Sequence, residues 1–343
     1  MDEPASIPHR RRPRYPGKNP RRFEHKYKEL DPERHPDTIA KVLAAGKTPA
    51  GSHVPIMVGE ILDVLRPQPG EFAVDCTLGH GGHARAILER IQPGGHLLGL
   101  DADPLELPRT EERLRSAGFG LDQLTILKSN FAGLPAALAK LGRPGADLIL
   151  ADLGVSSMQL DNPQRGFSTK SDGPLDMRMN PTRGLSAAQW LEKTSAEKLT
   201  TILGKNADEP HAQLLGSVLA GRGFASTAEL ATAIHSALTS ISGDERELSV
   251  RRVFQAIRIE VNEEFSALDT LLRVLPRCLN PGGRLAILTF HSGEDRRVKH
   301  AFQAAHREGL FREISRRVLR ASPAERHANP RSTSAKLRWA IRR

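Results

Sequence analysis

Residues that fit chemistry on a nucleoside follow the first three apolar runs of the sequence. Residues 74–83 read ValAspCysThrLeuGlyHisGlyGlyHis. Glycines between a strand and a helix let the backbone approach a ligand where a side chain would clash. Asp101 follows twenty residues after Gly81, and an acid at this spacing can hydrogen-bond both hydroxyls of a ribose. With Phe131 placed to border an adenine ring, these residues predict a site for a nucleoside cofactor.

A second segment, residues 151–161, reads AlaAspLeuGlyValSerSerMetGlnLeuAsp and leaves the carboxyl end of a fourth apolar run. Ligands collect at the carboxyl ends of strands in open α/β sheets. The carboxylate of Asp152 and the turn over 154–157 are therefore predicted to face the reactive end of the cofactor. The polar loop over 161–184 that follows is long, and such loops are unusual unless they are functional or disordered.

The apolar periodicity predicts the elements that must position these residues. Strands are predicted over residues 71–75, 97–101, 124–128, 147–152, 284–290, 311–319 and 336–342. Helices are predicted over residues 84–91, 105–117, 134–141 and 249–279. Such alternation is typical of a parallel, doubly wound sheet with helices on both faces. Residues 160–245 contain no convincing strand, which predicts an all-helical insertion after strand 4 of this α/β fold.

Composition and charge limit the class of protein to which this chain can belong. The net charge is +10, and the basic residues concentrate in residues 10–28 and 296–343, which predicts either binding to nucleic-acid phosphates or a solvated basic surface. The proline-rich residues 1–50 predict a disordered basic tail. The sequence has no run of 18 apolar residues and no signal peptide, so a soluble, cytoplasmic protein without a membrane partner is expected. Cys76 and Cys278 have no metal-binding spacing, and no metal site is expected.

Eight strings of residues, in order along residues 53–343, resemble the small-subunit rRNA methyltransferase H family, also called MraW. They are HisGlyGlyHis (80–83), AspLeuGlyValSerSer (152–157), ArgGlyPheSer (165–168), AspGlyProLeuAspMetArgMet (172–179), PheGlnAlaIleArgIle-x-ValAsn (254–262), LeuAsnProGlyGlyArgLeu (279–285), PheHisSer-x-GluAspArg (290–296) and AsnProArg (329–331). The chain departs from the family at Gly293, where a larger apolar residue is usual, and over residues 207–212.

The resemblance implies a fold, a reaction and a set of site residues. The fold would be the Rossmann-like sheet of class I methyltransferases, over residues 51–160 and 246–343, with a substrate-recognition insertion over 161–245. The reaction would be methyl transfer from S-adenosyl-L-methionine to the exocyclic N4 amine of a cytidine in 16S rRNA, at the decoding centre of the small ribosomal subunit. The positions that match the family's cofactor-binding residues are Gly81, Gly82, His83, Asp101, Phe131, Asp152 and Gln159.

The inventory of nucleophiles favours direct methyl transfer to an amine or a hydroxyl. Methylation at cytosine C5 normally needs a cysteine thiolate, but Cys76 lies inside the predicted cofactor turn and Cys278 has no visible base partner. For an amine target, Asp152 is predicted to accept a hydrogen bond from that amine or from the amino group of the cofactor. His291, just past the fifth strand, is the second catalytic candidate.

Four residues are candidates for contact with the substrate. Arg165, Arg178 and Arg258 are predicted either to clamp RNA phosphates or to pair with nearby acids. The target base must be unstacked, so Phe167 is predicted either to pack on that base or to lie in the core.

Other functions stay open from the residues alone. One is an amino-methyltransferase on DNA or on another RNA, although DNA enzymes of this kind usually carry Asp/Asn-ProPro-aromatic where AspLeuGlyVal (152–155) stands. Another is an NAD-dependent oxidoreductase, because Gly79-x-Gly81-x-x-Ala84 also fits the dinucleotide fingerprint. A non-catalytic RNA-binding assembly factor would explain the basic ends but would leave Asp101 unused. The oligomeric state is not indicated.

Overall fold

The computed structural model describes residues 54–343, so the predicted tail, residues 1–50, lies outside the described residues. The strands are β1 (Phe72–Asp75), β2 (His96–Asp101), β3 (Leu124–Lys128), β4 (Ala146–Asp152), β5 (Leu279–Thr289), β6 (Phe311–Ile314) and β7 (Lys336–Arg342). The α-helices are α1 (Val58–Leu65), α2 (Gly82–Ile91), α3 (Leu107–Ser116), α4 (Leu134–Lys140), α5 (Ser157–Asp161), α6 (Ala187–Lys193), α7 (Ala196–Ala207), α8 (Ala212–Leu219), α9 (Thr227–Ala237), α10 (Gly243–Val261), α11 (Glu264–Cys278), α12 (Ser292–Arg307) and α13 (Pro323–Ala328). Short 3-10 helices span Phe131–Gly133, Pro163–Arg165 and Pro330–Ser334.

The strands form one sheet in the order β3-β2-β1-β4-β5-β7-β6. Neighbours from β3 to β5 pair in parallel, whereas β7 is antiparallel to both β5 and β6. The chain proceeds from β1 to β2 and β3 on one side and then returns to β4 on the other side. The loops at the carboxyl ends of β1 and β4 therefore separate and open a crevice at the switch point of the strand order. The predicted α/β fold with a parallel, doubly wound sheet is confirmed.

Helices cover both faces of the sheet, because its central strands are apolar on both sides. One face packs on α4, α11 and α12 through Leu138, Leu271 and Phe302. The other face packs on α1 and α2 through Ile61 and Ile87. Burial on both faces explains why the strands read as nearly continuous apolar runs. Within residues 54–343, no helix has the length and apolar character needed to cross a membrane.

The residues between β4 and β5 build a helical body (residues 157–261) with a hydrophobic core of its own. This core contains Leu191 of α6, Leu203 of α7, Leu230 of α9 and Ile257 of α10. Because α10 begins at Gly243 and packs its buried residues here, this core extends beyond residue 245, where the sequence placed the end of the insertion.

The helical run predicted over 249–279 is two helices, so the predicted continuity was wrong. Glu263 has a left-handed backbone with φ 52° between α10 and α11. At the break, Nδ2 of Asn262 donates to the carbonyl oxygen of Met177 at 2.7 Å, and its Oδ1 accepts from the backbone N of Met179 at 2.7 Å. The loop after β4 therefore holds the break in place.

Candidate active site

A cleft of about 410 Å³ opens at the carboxyl ends of β1, β2 and β4. Its wall is formed by the turn over residues 76–83, by residues 101–103, by residues 129–131 and by residues 152–160. The inner end of the cleft is closed by Arg258, Asn262, Glu264, Phe265, Leu268, Phe290 and Glu294. Small-molecule and cofactor sites usually measure about 300–1,000 Å³, so the cleft is large enough for a bound nucleoside.

Asp101 holds the glycine turn between β1 and α2. The backbone N of Gly79 donates to Oδ2 of Asp101 at 2.7 Å, and the backbone N of Asp103 donates to Oδ1 at 2.8 Å. Gly81 has φ 83°, and a Cβ at this position would lie 3.0 Å from Cγ2 of Thr110. A side chain at residue 81 would be both strained and crowded. Backbone atoms therefore line this part of the cleft, as the sequence predicts for a nucleoside site.

Asp152, the last residue of β4, presents a buried oxygen that has no hydrogen-bond partner within residues 54–343. Its backbone N donates to Oγ1 of Thr77 at 2.6 Å, which fixes the end of β4 against the turn after β1. Its Oδ2 lies 3.6 Å from Nδ1 of His83, whereas Oδ1 has no partner. A buried acceptor without a donor costs free energy, so Oδ1 marks a place where a donor of a bound molecule fits.

The surroundings of Asp152 favour its neutral form near neutral pH. Burial, followed by the negative charge of Glu294, raises the pKa of Asp152 to about 7. Burial lowers the pKa of His83, whose Nε2 donates to the carbonyl oxygen of Ile56 at 2.9 Å. A carbonyl can only accept, so the hydrogen of the neutral ring is on Nε2 and the lone pair of Nδ1 faces Asp152. A proton on Oδ2 of Asp152 therefore points towards His83 and leaves Oδ1 as the acceptor.

Asp103 links the end of β2 to the loop after β4. Its Oδ2 accepts from Nε2 of Gln159 at 2.9 Å and from Nη1 of Arg165 at 2.8 Å. Nη2 of Arg165 also donates to the carbonyl oxygens of Arg178 and Met179, at 3.0 and 2.8 Å. All three side chains in the network are buried. The network therefore fixes the position of one wall of the cleft relative to the other.

The inner end of the cleft contains a partly buried ion pair and a buried acid. Nε and Nη2 of Arg258 donate to the two carboxylate oxygens of Glu264 at 2.8 and 2.9 Å. Glu294 accepts from the backbone N of Phe290 at 2.9 Å, and its other oxygen lies 3.2 Å from Nε2 of His291. Burial alone would raise the pKa of Glu294, but the contact with His291, the Phe290 N–H and the charge of Arg258 together lower it. A fixed negative charge therefore lies near Asp152.

The cleft brings together all the positions that the sequence predicts for the cofactor. The predicted residues in its wall are Gly81, Gly82, His83, Asp101, Phe131, Asp152, Gln159 and Arg258. Their roles in binding and catalysis stay predictions. Of the two uses predicted for Arg258, the structure shows the ion pair.

The other predicted substrate residues are engaged within the protein. Arg165 is buried in its ion pair with Asp103, and Phe167 is buried in the core of the helical body. Nε and Nη2 of Arg178 donate to Asp176 at 2.9 and 2.6 Å, and Arg178 lies outside the cleft wall. For these residues the structure favours the alternatives that the sequence left open, pairing with acids and core packing. Direct contact of Arg165 or Phe167 with RNA stays a prediction, and in this structure protein covers both side chains.

His291 also lies outside the cleft wall, behind Glu294. Its ring centroid is 5.7 Å from that of Phe265. We correct its predicted role from a group in the target pocket to one that positions Glu294, because their side chains are in contact and only Glu294 reaches the cleft.

Sequence reasoning did not single out Asn262, Glu264 or Glu294 as site residues. Asn262 and Glu294 lie within the family-like strings 254–262 and 290–296. Membership in these strings is the sequence feature that could have identified them as site residues. Glu264 follows the helix break, which the apolar periodicity does not reveal.

Gly293, where the family usually has a larger apolar residue, lies against the ring of Phe265. A Cβ at this position would lie 2.7 Å from Cζ of Phe265. Phe265 lines the cleft, and the guanidinium carbon of Arg297 lies 3.8 Å from the centre of its ring. The missing side chain at residue 293 thus lets an aromatic ring of the cleft wall pack against the start of α12.

The sheet order with an antiparallel β7, and the cleft at the carboxyl ends of β1, β2 and β4, define a Rossmann-like fold with a cavity of nucleoside size. The chain belongs to the MraW methylase family, which matches residues 50–343. The family predicted from the sequence is confirmed. Similar proteins named ribosomal RNA small subunit methyltransferase H 1 occur in Agathobacter rectalis (47% identity over 97% of this chain and 98% of the relative) and Lachnoclostridium phytofermentans (46% over 97% and 93%). A ribosomal RNA small subunit methyltransferase H 2 from Alkaliphilus metalliredigens is 48% identical over 97% of both chains.

Proposed function

We propose that this enzyme transfers the methyl group of S-adenosyl-L-methionine to the exocyclic N4 amine of a cytidine in 16S rRNA, at the decoding centre of the small ribosomal subunit. Family membership and the names of the relatives support the class of reaction and the RNA. The observation that carries the proposal is the cleft itself. In one cavity it joins a ribose-binding acid, Asp101, to the unpartnered buried oxygen Oδ1 of Asp152.

The cofactor fits the half of the cleft nearest β1, β2 and β3. The glycine turn presents its backbone to the methionine part of the cofactor, and Gly81 keeps the left-handed conformation (φ 83°) that this turn requires. Asp101 receives the ribose hydroxyls, and Phe131 borders the adenine. S-adenosyl-L-methionine supplies a methyl group on a positively charged sulfur, which a nitrogen lone pair can attack directly.

The target amine fits beside Asp152. Oδ1 of Asp152 accepts one hydrogen of the amine and so turns the nitrogen lone pair towards the methyl group. His83 holds the carboxyl group in place through its contact with Oδ2, which lies 3.6 Å from Nδ1. The proton of the amine can leave after the methyl group has moved, so no strong base is required. Catalysis then depends mainly on orientation and on exclusion of water.

Substrate recognition is assigned to the helical body, residues 157–261. It borders the cleft through Met179 and Arg258, and its basic residues Arg251 and Lys205 are available to RNA phosphates. The proposed partner is the 16S rRNA within the small ribosomal subunit, which implies a cytoplasmic location.

A comparison of three methyl acceptors tests this proposal. The enzyme is incubated with labelled S-adenosyl-L-methionine and, separately, with unmodified small subunits, protein-free 16S rRNA and a DNA duplex of the target sequence. The proposal expects label in the 16S rRNA of the first two acceptors and none in DNA. Label only in DNA, or cofactor binding without transfer to any RNA, would overturn the assignment of the substrate.

A further inference from the structure

A second cavity, of about 390 Å³, lies between α12 and β6, which is the edge strand of the sheet. Its wall is basic, because Lys299 of α12, Arg312 and Arg316 of the β6 segment and Arg338 of β7 all line it. Glu313 is the single acidic residue in this wall. We call this cavity the basic groove. A groove with such a charge balance attracts anions.

Three cations of the basic groove lack an acidic partner within the described part of the chain. Arg338 donates from Nε to Oδ1 of Asp295 at 2.6 Å, whereas no ion pair within residues 54–343 involves Lys299, Arg312 or Arg316. In the cleft, by contrast, Arg258 is paired with Glu264. The basic groove therefore differs from the cleft because it carries positive charges that no acid of the described residues neutralises.

The chain around the basic groove extends the positive surface. Residues 299–320 contain six lysines and arginines but only two acids, Glu308 and Glu313. Arg317 and Arg320 follow directly after the groove and are exposed. A surface with this density of unpaired cations, next to an exposed sheet edge, has the charge that a polyphosphate chain requires.

Helix α12 connects the basic groove to the cleft. Its first turn carries Glu294 at the inner end of the cleft, and Lys299 follows five residues later. At a rise of about 1.5 Å per residue, the two positions are about 7.5 Å apart along the helix axis and face about 140° away from each other. The groove therefore opens on another side of the same helix, within reach of a strand that leaves the cleft.

We propose that the basic groove binds the sugar–phosphate backbone of the rRNA at nucleotides next to the methylated one. This inference rests on the proposed function, which supplies the RNA. The contacts are to phosphates, so the groove adds affinity and orientation without reading the base sequence.

The test replaces two groove cations in the full-length enzyme. The double variant Arg312→Gln/Arg316→Gln is compared with wild type for binding of labelled, unmodified small subunits at salt concentrations from about 50 to 200 mM. We expect at least tenfold weaker binding at the lower salt. The plot of log affinity against log salt should be shallower by about 1.5, since each lost phosphate contact contributes about 0.7–0.9. The rate constant at saturating subunits should stay within twofold of wild type, because neither residue lies in the cleft.

Two further variants keep the test decisive. Arg90→Gln/Lys140→Gln removes two exposed charges near the ends of α2 and α4, and it should bind like wild type. Arg312→Lys/Arg316→Lys keeps the charges and should restore most of the affinity. Unchanged binding by the groove variant, or an equal loss in the Arg90/Lys140 variant, overturns the inference. Binding is measured without methyl transfer, so failure of wild type to methylate the subunits would contradict the proposed function alone.

Discussion

Nδ1 of His83 lies 3.6 Å from Oδ2 of Asp152, while Nε2 of the same ring binds the carbonyl oxygen of Ile56 at 2.9 Å. The imidazole thus connects the segment before α1 to the start of α2 and the end of β4. Its position determines which oxygen of Asp152 is free. Since Oδ2 faces the ring, Oδ1 is left without a donor, which the proposed function supplies from the target amine.

The raised pKa of Asp152 predicts that this residue lowers stability at alkaline pH. Burial, and then the charge of Glu294, raises its pKa to about 7, whereas an unfolded aspartate has a pKa of about 3.9. Between these values the folded protein binds more protons than the unfolded one, so its free energy of unfolding falls as pH rises. Asp152→Asn should therefore be more stable than wild type at about pH 8, by about 4 kcal/mol. Thermal unfolding without cofactor, at pH values from about 4 to 8, measures this difference.

The matched control for this prediction is Asp63→Asn, which removes a carboxylate from an exposed position of α1. It should leave the pH dependence of unfolding unchanged. The gain in Asp152→Asn should shrink to about 0.5 kcal/mol near pH 4, where the folded carboxyl group holds its proton and the unfolded one is about half ionised. A gain that is equal at all pH values would show that the carboxyl group does not titrate with a raised pKa.

Asp152→Ala is expected to affect the rate more than cofactor binding. Loss of an oriented acceptor at the reacting amine should lower kcat by about 10²–10³-fold, as for other oriented groups that act at the reacting atoms. The affinity for S-adenosyl-L-methionine, measured by calorimetry, should change by less than about tenfold. If the loss were entirely in cofactor affinity, Asp152 would have to be reassigned to the amino group of the cofactor.

The ion pair of Arg165 with Asp103 is expected to stabilise the fold. Arg165→Gln leaves a buried carboxylate without its cation, which typically costs about 3–5 kcal/mol. Denaturant unfolding should show this loss, and the double variant Arg165→Met/Asp103→Leu should recover part of it. The salt dependence of RNA binding should stay that of wild type. If Arg165→Gln kept the stability of wild type and its RNA binding depended less on salt, Arg165 would instead contact an RNA phosphate.

Gly173 allows the loop after β4 to pack against itself. A Cβ at this position would lie 2.0 Å from the carbonyl oxygen of Pro163, so Gly173→Ala must displace backbone. We expect a loss of more than about 2 kcal/mol in the free energy of unfolding and a parallel loss of activity. The control is Gly204→Ala within α7, where no atom lies within 4 Å of the added Cβ, and it should gain about 0.5–1 kcal/mol. Equal stabilities of the two variants would refute this account of the loop.

Gly293→Leu is expected to impair this enzyme, because the Cβ alone would lie 2.7 Å from Cζ of Phe265. The displaced ring belongs to the cleft wall, so the KM for RNA should rise together with a loss of stability. Adding Phe265→Ala to Gly293→Leu should restore much of the lost stability. Adding it to a distant destabilising variant such as Arg165→Gln should restore little. A double-mutant cycle by denaturant unfolding measures this coupling, and strictly additive effects would contradict it.

The sequence predicted the site residues whose positions follow from the sequence of strands along the chain. The glycine turn and Asp101 stand at the ends of successive strands, and their spacing alone places them together. Asp152 was predictable for the same reason, since it ends a fourth apolar strand. The parallel sheet brings such strand ends to one edge whatever the remaining contacts are.

The unpredicted parts depend on partners that are distant in the sequence. Asp103 binds Arg165 across 62 positions, and nothing near either residue indicates the partner. At the break before Glu264, Asn262 accepts a hydrogen bond from Met179 and donates one to Met177, which lie 83 and 85 positions earlier in the chain. Apolar periodicity carries no information on such contacts, so a single long helix was predicted.

The most direct test of the central claim is the position of the transferred methyl group. Unmodified small subunits are incubated with S-adenosyl-L-methionine whose methyl carbon is ¹³C, and the rRNA is digested to nucleosides for mass spectrometry. Wild type is expected to yield labelled N4-methylcytidine, and Asp101→Ala, which loses the acid proposed to bind the ribose, is expected to yield almost none. Label on C5 of cytosine or on a ribose 2′ oxygen, or full activity in Asp101→Ala, would contradict the account.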